Sequence, residues 1–121
     1  MGIRWTNRYT TTSPQLHVGV SGVNDSTIVL DSTVYPSGTC IFTTSPDDVT
    51  VVFGNIWSYD VGSTIDIIQA GDGQVQVDIY NNPGVTIGTA VGNATRSKYS
   101  KITLLNITGD LWVVYGDAVT L

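Results

Sequence analysis

The chain is poor in the residues that enzymes and metal proteins rely on. Its 121 residues include one histidine, one cysteine and no glutamate, so all ten acids are aspartate. A single cysteine cannot close an internal disulfide, and Cys40, in the apolar run TCIFTT, reads as a buried, inert thiol. With one histidine, a Ser-His-Asp constellation would have to recruit freely chosen partners, and no G-x-S-x-G accompanies His17; it reads as a structural strand residue. A zinc site needs several nitrogen or sulfur ligands, and two candidates do not make one. Lys and Arg number five against ten acids, a net charge of -5. That excludes the basic stripe a nucleic-acid binder needs to displace counterions. No apolar run approaches the ~18 residues of a membrane helix, and no apolar h-region follows the N-terminus. The expectation is a chain made in the cytoplasm, with no nucleic-acid partner and no membrane insertion. The three N-x-S/T sequons, at Asn24, Asn93 and Asn106, then read as turn chemistry.

Alanine is scarce too, at four residues, against seventeen threonines and sixteen valines. Ala and Glu favour helices, whereas Val and Thr are stiff at χ1 and suit a pleated strand. Thirteen glycines and ten aspartates supply turns. The composition is that of an all-β protein, and its length suits one domain with a real core.

The pattern along the chain agrees. Residues 1–14, MGIRWTNRYTTTSP, have no clean period and read as an extended N-terminal arm; residues 15–121 read as a single all-β domain. The arm's Trp5 and Tyr9 are costly to leave in water, and its Arg4 and Arg8 are separated from Arg96, Lys98 and Lys101 by a long stretch without cations. Strands are expected at 15–20, 27–31, 39–44, 49–54, 63–69, 74–79, 85–88, 99–107 and 111–117, with almost no helix. Asp72-Gly73, between two alternating segments, is the usual signal of a tight hairpin, and Thr108-Gly109-Asp110 is the turn of another. The expected architecture is an antiparallel β-sandwich or a jelly-roll-like domain. The terminal strand, LWVVYGD, is bulky on both faces, so one face needs a second sheet or another chain, which makes the protein a candidate oligomer.

Chemistry is thinly represented. Asp60, Asp66, Asp72 and Asp78 recur every six residues, a spacing met in β-solenoids, but nothing else repeats with them and the spacing reads as coincidence. Asp66 and Asp78 would meet across the expected hairpin and repel unless solvated or bridged by a cation. No catalytic residue, cofactor or metal ligand is assigned. Aromatics are the remaining handle: Trp112 reads as core, and Tyr35, Tyr80 and Tyr99, at turn edges, read as surface residues able to stack on sugar rings.

One resemblance extends beyond this. Gly62-Ser63-Thr64-Ile65, Gln69-Ala70-Gly71-Asp72-Gly73-Gln74-Val75, Lys98-Tyr99-Ser100, Thr103-Leu104-Leu105 and Trp112-Val113-Val114-Tyr115-Gly116-Asp117 stand in an order that resembles the C-terminal β-module of tailed-phage virion proteins, found in tail fibres and head decoration proteins. The likeness spans roughly residues 61–117, about half the chain. It implies a non-enzymatic virion structural protein, a homotrimer without a cofactor, located in the virion. A short arm and one β-domain suit a capsid decoration (cement) protein whose arm grips the shell through Arg4, Trp5, Arg8 and Tyr9. The alternative it implies is a tail-fibre tip, a receptor-binding domain with Tyr80, Asn81, Asn82 and Tyr99 facing a host-surface glycan.

Overall fold

A computed structural model describes residues 20–55, 58–78 and 84–120. The arm at 1–14 and the strand expected at 15–20, save Val20, lie outside the described residues. Eleven strands are formed there: β1 (Val20–Val23), β2 (Thr27–Asp31), β3 (Cys40–Thr43), β4 (Val49–Asn55), β5 (Thr64–Gln69), β6 (Val75–Asp78), β7 (Thr86–Thr89), β8 (Ala94–Thr95), β9 (Lys101–Asn106), β10 (Leu111–Gly116) and β11 (Ala118–Val119). The all-β expectation holds. A six-stranded sheet has the order β1-β3-β5-β9-β10-β7 and a five-stranded sheet the order β11-β8-β6-β4-β2.

The pairing corrects the antiparallel expectation. β1, β3 and β5 lie parallel in the first sheet, and β2, β4 and β6 lie parallel in the second. The chain crosses from one sheet to the other and back, three times in the same sense, which is a β-solenoid-like arrangement. Val20 lines up with Cys40 and Cys40 with Asp66, steps of 20 and 26 residues. Thr27 lines up with Thr50 and Thr50 with Gln76, steps of 23 and 26. The next coil runs backwards: β8 pairs antiparallel with β6, and β9 antiparallel with β5. β10 and β11 return antiparallel to β9 and β8, and β7 closes the first sheet, parallel to β10. Antiparallel pairing is thus confined to the C-terminal coils, where the expected hairpin at 108–110 does form.

The expected Asp72-Gly73 hairpin does not. β5 and β6 belong to different sheets, and residues 70–74 form an arch between them. Alternating hydrophobicity says which side chains face inward; it does not say which strand is the neighbour. The arch stacks on the one before it, where the backbone N–H of Gly73 donates to the carbonyl of Ser45 and that of Val49 to the carbonyl of Gln74. A Cβ on Gly73 would overlap the carbonyl of Asp47, and one on Gly71 the carbonyl of Ser45. The glycines are there for close approach of two backbones, not for a tight turn.

Inward residues form ladders across the coils. Ile41, Ile67 and Ile102 stack in the six-stranded sheet, facing Ile28, Val51 and Val77 from the other, all 0–1% exposed. Burying each such side chain is worth roughly 1.5–3 kcal/mol. Trp112 sits in this core as expected, 5.1 Å from the Phe53 ring and edge-on to Tyr59 at 5.4 Å. The Tyr59 hydroxyl donates to the carbonyl of Tyr35 at 2.6 Å, and burial pushes its pKa well up. Cys40 departs from its expected place: it points out of the six-stranded sheet and is half-buried. Burial, with Asp66 beside it, still raises its pKa.

Candidate functional site

Among the described residues, two regions are candidates for a contact site. The first is the turn from β8 to β9. Gln69, at the end of β5, is 3% exposed; its side-chain carbonyl accepts from Thr95 at 2.6 Å and its amide reaches the carbonyl of Gly71 at 3.2 Å. The Thr95 hydroxyl also accepts from the N–H of Val75, and the Gln74 amide donates to the carbonyl of Thr95 at 2.8 Å. This buried network ties the arch to β8. Above it, the N–H of Tyr99 donates to the carbonyl of Gln69 at 2.5 Å, and the N–H of Gln69 donates to the carbonyl of Ser100.

That clamp holds Tyr99 at φ +72°, the left-handed region that a bulky side chain seldom enters, at a cost of order 1–3 kcal/mol. Tyr99 is 73% exposed, with the Lys98 ammonium 5.4 Å from its ring centroid and 3.6 Å from Asp72. Next to it, Arg96 grips Asp117 with two bonds of 2.7 and 2.8 Å, and Ser100 adds a third to the same carboxylate at 2.8 Å. These partners, Arg96 and then Ser100, hold the Asp117 carboxyl down to about 2. An exposed ring flanked by an ammonium can stack on an apolar sugar face while the cation bonds a hydroxyl.

The second region is a cavity of about 320 Å³ near the far end of β6, lined by Val77, Asp78, Val85, Thr86, Ile87, Thr89 and Asn93. Its floor is fixed by Asn93, whose amide donates to the carbonyl of Val77 at 2.8 Å, and by the Thr89 hydroxyl, which donates to the carbonyl of Gly92. It mixes aliphatic walls with a carboxylate, an amide and hydroxyls.

Of the expected contact residues, Arg4, Trp5, Arg8 and Tyr9 lie outside the described residues, as do Tyr80, Asn81 and Asn82. Tyr99 is the one described member of its set. It sits over the arch that precedes β6, whereas Asp78, the last described residue before Tyr80, is at the strand's other end, about 10 Å away at strand rise. Asp66 and Asp78 do not meet either, since they stand in different sheets. Asp66 bonds the Thr103 hydroxyl at 2.6 Å and lies 3.7 Å from the Lys101 ammonium. Sequence reasoning missed the Arg96–Asp117–Ser100 clasp and the cavity, because each unites residues far apart in the chain: Ser100 and Asp117 stand in the quoted motif, but nothing in it says that they meet. Among the described residues, no three of His, Cys, Asp and Glu gather as a metal cluster, and no helix is long and apolar enough to cross a membrane. No family model, curated protein or solved structure matches this chain.

Proposed function

We propose that the chain is a non-enzymatic structural protein of a tailed-phage virion, a homotrimer that decorates the capsid and docks through its N-terminal arm at Arg4, Trp5, Arg8 and Tyr9. One observation supports the reading. Several of the residues that resemble the virion module serve coil-to-coil packing rather than a cleft: Gly71 and Gly73 allow the arches to stack, Gln69 and Gln74 tie the arch to β8, and Trp112 fills the core. Gly116, at φ +119°, lies against the carbonyl of Lys101, and Asp117 closes the last arch onto Arg96. A motif spent on rigidity suits a shell or fibre component, whose work is done by its surface. The test is co-sedimentation with phage particles lacking the protein. The full chain should bind, and deletion of residues 2–12 should abolish binding; retained binding refutes the docking role of the arm.

The second reading is a tail-fibre tip that recognises a host-surface glycan, and the strained, exposed Tyr99 beside Lys98 favours it. Glycan-array binding that Tyr99→Ala lowers at least tenfold would support it. Binding unchanged in that variant removes Tyr99 from the contact.

A further inference from the structure

The outward residues of the six-stranded sheet are mostly apolar, and none of the described segments covers them. Val20 is 67% exposed and Tyr115 46%; Phe42, Ile68, Leu105 and Val113 are half-buried by their neighbours in the sheet. Register puts them on one side: Phe42 stands beside Ile68, and Leu105 beside Val113. Six strands at about 4.8 Å spacing, each four to six residues long, make a face of about 24 by 16 Å, near 400 Å². Much of that footprint is apolar, and contiguous apolar surface of a few hundred Å² is often functional.

Charge says what fits there. The chain carries ten acids against five Lys and Arg, yet the six strands of this sheet contain only two charged residues, Asp66 and Lys101, 3.7 Å apart. The five-stranded sheet has Asp31 and Asp78 in its strands and no cation. A second copy would therefore meet like charge at the five-stranded sheet and a neutral, apolar surface at the six-stranded one. Asp66 and Lys101 are also on β5 and β9, the third and fourth strands of six, so the pair straddles the midline of the face. In a two-fold or three-fold arrangement whose axis runs along the strands and faces this sheet, the β9 side of one copy adjoins the β5 side of the next. Each Lys101 then approaches Asp66 of the partner subunit, and the face is complementary to itself.

We propose that the outer face of the six-stranded sheet is the surface through which copies of this chain associate. The inference rests on reading the protein as an oligomer and names the contact. About 400 Å² per copy, roughly 800 Å² buried in total, lies at the small end of protein interfaces, so the association is a weak one that depends on concentration. Cys40, on the same face, reports its coverage.

The experiment uses the full chain. Light scattering gives the mass between 1 and 200 µM, and the rate of Cys40 modification by a disulfide reagent is followed in parallel. The wild type should rise to a multiple of 12.9 kDa, with Cys40 slowed as it does so. Leu105→Asp and Ile68→Asp should remain monomeric, with unchanged circular dichroism and a Cys40 rate at least fivefold faster at high concentration. Val29→Asp, on the opposite sheet, should behave as the wild type. An oligomer that survives both face variants overturns the proposed contact and leaves the oligomeric reading standing. A monomer at every concentration overturns the proposed contact, as does Cys40 protection that is independent of concentration, which would mean the chain covers its own face. Particle co-sedimentation then judges the virion reading separately.

Discussion

Asp117 is exposed, yet Arg96 and Ser100 hold its carboxyl near 2, against an ordinary value of 3.8. A depressed carboxyl favours the folded state above its unfolded pKa, and that contribution is lost as the pH falls through the folded value. Melting temperature should therefore decline between about pH 4 and 2, and Asp117→Asn should flatten that part of the profile. Gly73 tests the stacking of arches. Gly73→Ala drives a methyl into the backbone of Asp47, so equilibrium denaturation should show a loss of about 2 kcal/mol or more. Trp112→Ala, at a fully buried site against Phe53 and Tyr59, should cost about 3–5 kcal/mol by the same measurement. Both the glycine and the tryptophan were visible in the sequence. Trp112 could be assigned from its alternating strand, but Gly73 was misread, because a glycine required by close approach looks the same in a sequence as one required by a tight turn.

At the scale of the element, strand positions were legible from period-2 alternation and strand partners were not. The segment 63–79 shows why. In β5 Ile65, Ile67 and Gln69 face inward and Thr64, Asp66 and Ile68 outward, and in β6 Val75 and Val77 alternate with Gln76 and Asp78. That pattern fits a hairpin and an arch equally well, since each strand buries one face in either case. The local Asp-Gly signal favoured the hairpin, and the stacking of Gly71 and Gly73 on residues 45–47 overrode it. The last hairpin was legible because β9 and β10 do pair across a short turn. Hydrogen exchange separates the two arrangements. β5, between β3 and β9, and β4, between β2 and β6, should hold the slowest amides, and β1 and β2 the fastest among the parallel strands. In a 63–79 hairpin, β5 and β6 would instead protect one another.

At the scale of the whole molecule, the parallel coils join residues 20 to 26 positions apart. Such contacts require loop closure before they contribute, so folding should be slow, in the range of milliseconds to seconds by stopped-flow fluorescence of the tryptophans. The solenoid-like stack also decides the surface. By bringing β5 and β9 together at the centre of one sheet, it sets Asp66 beside Lys101 and leaves the surrounding face apolar.

The sequence by itself determined the all-β class, the burial of Trp112, the C-terminal hairpin and the scarcity of catalytic side chains. Each follows from composition or from neighbours a few residues apart. The six-residue spacing of aspartates, a spacing met in β-solenoids, was set aside as coincidence; the arrangement is solenoid-like after all, but its steps are 20 to 26 residues and left almost no trace. Positions in register share only size and polarity, as Ile28, Val51 and Val77 do, and such columns accept any branched aliphatic residue. Only the tertiary structure decided coil direction, the parting of Asp66 from Asp78, the strained presentation of Tyr99 and the neutral face. All four depend on which strands become neighbours, and that is settled by core packing and by the close approach of backbones distant in the chain.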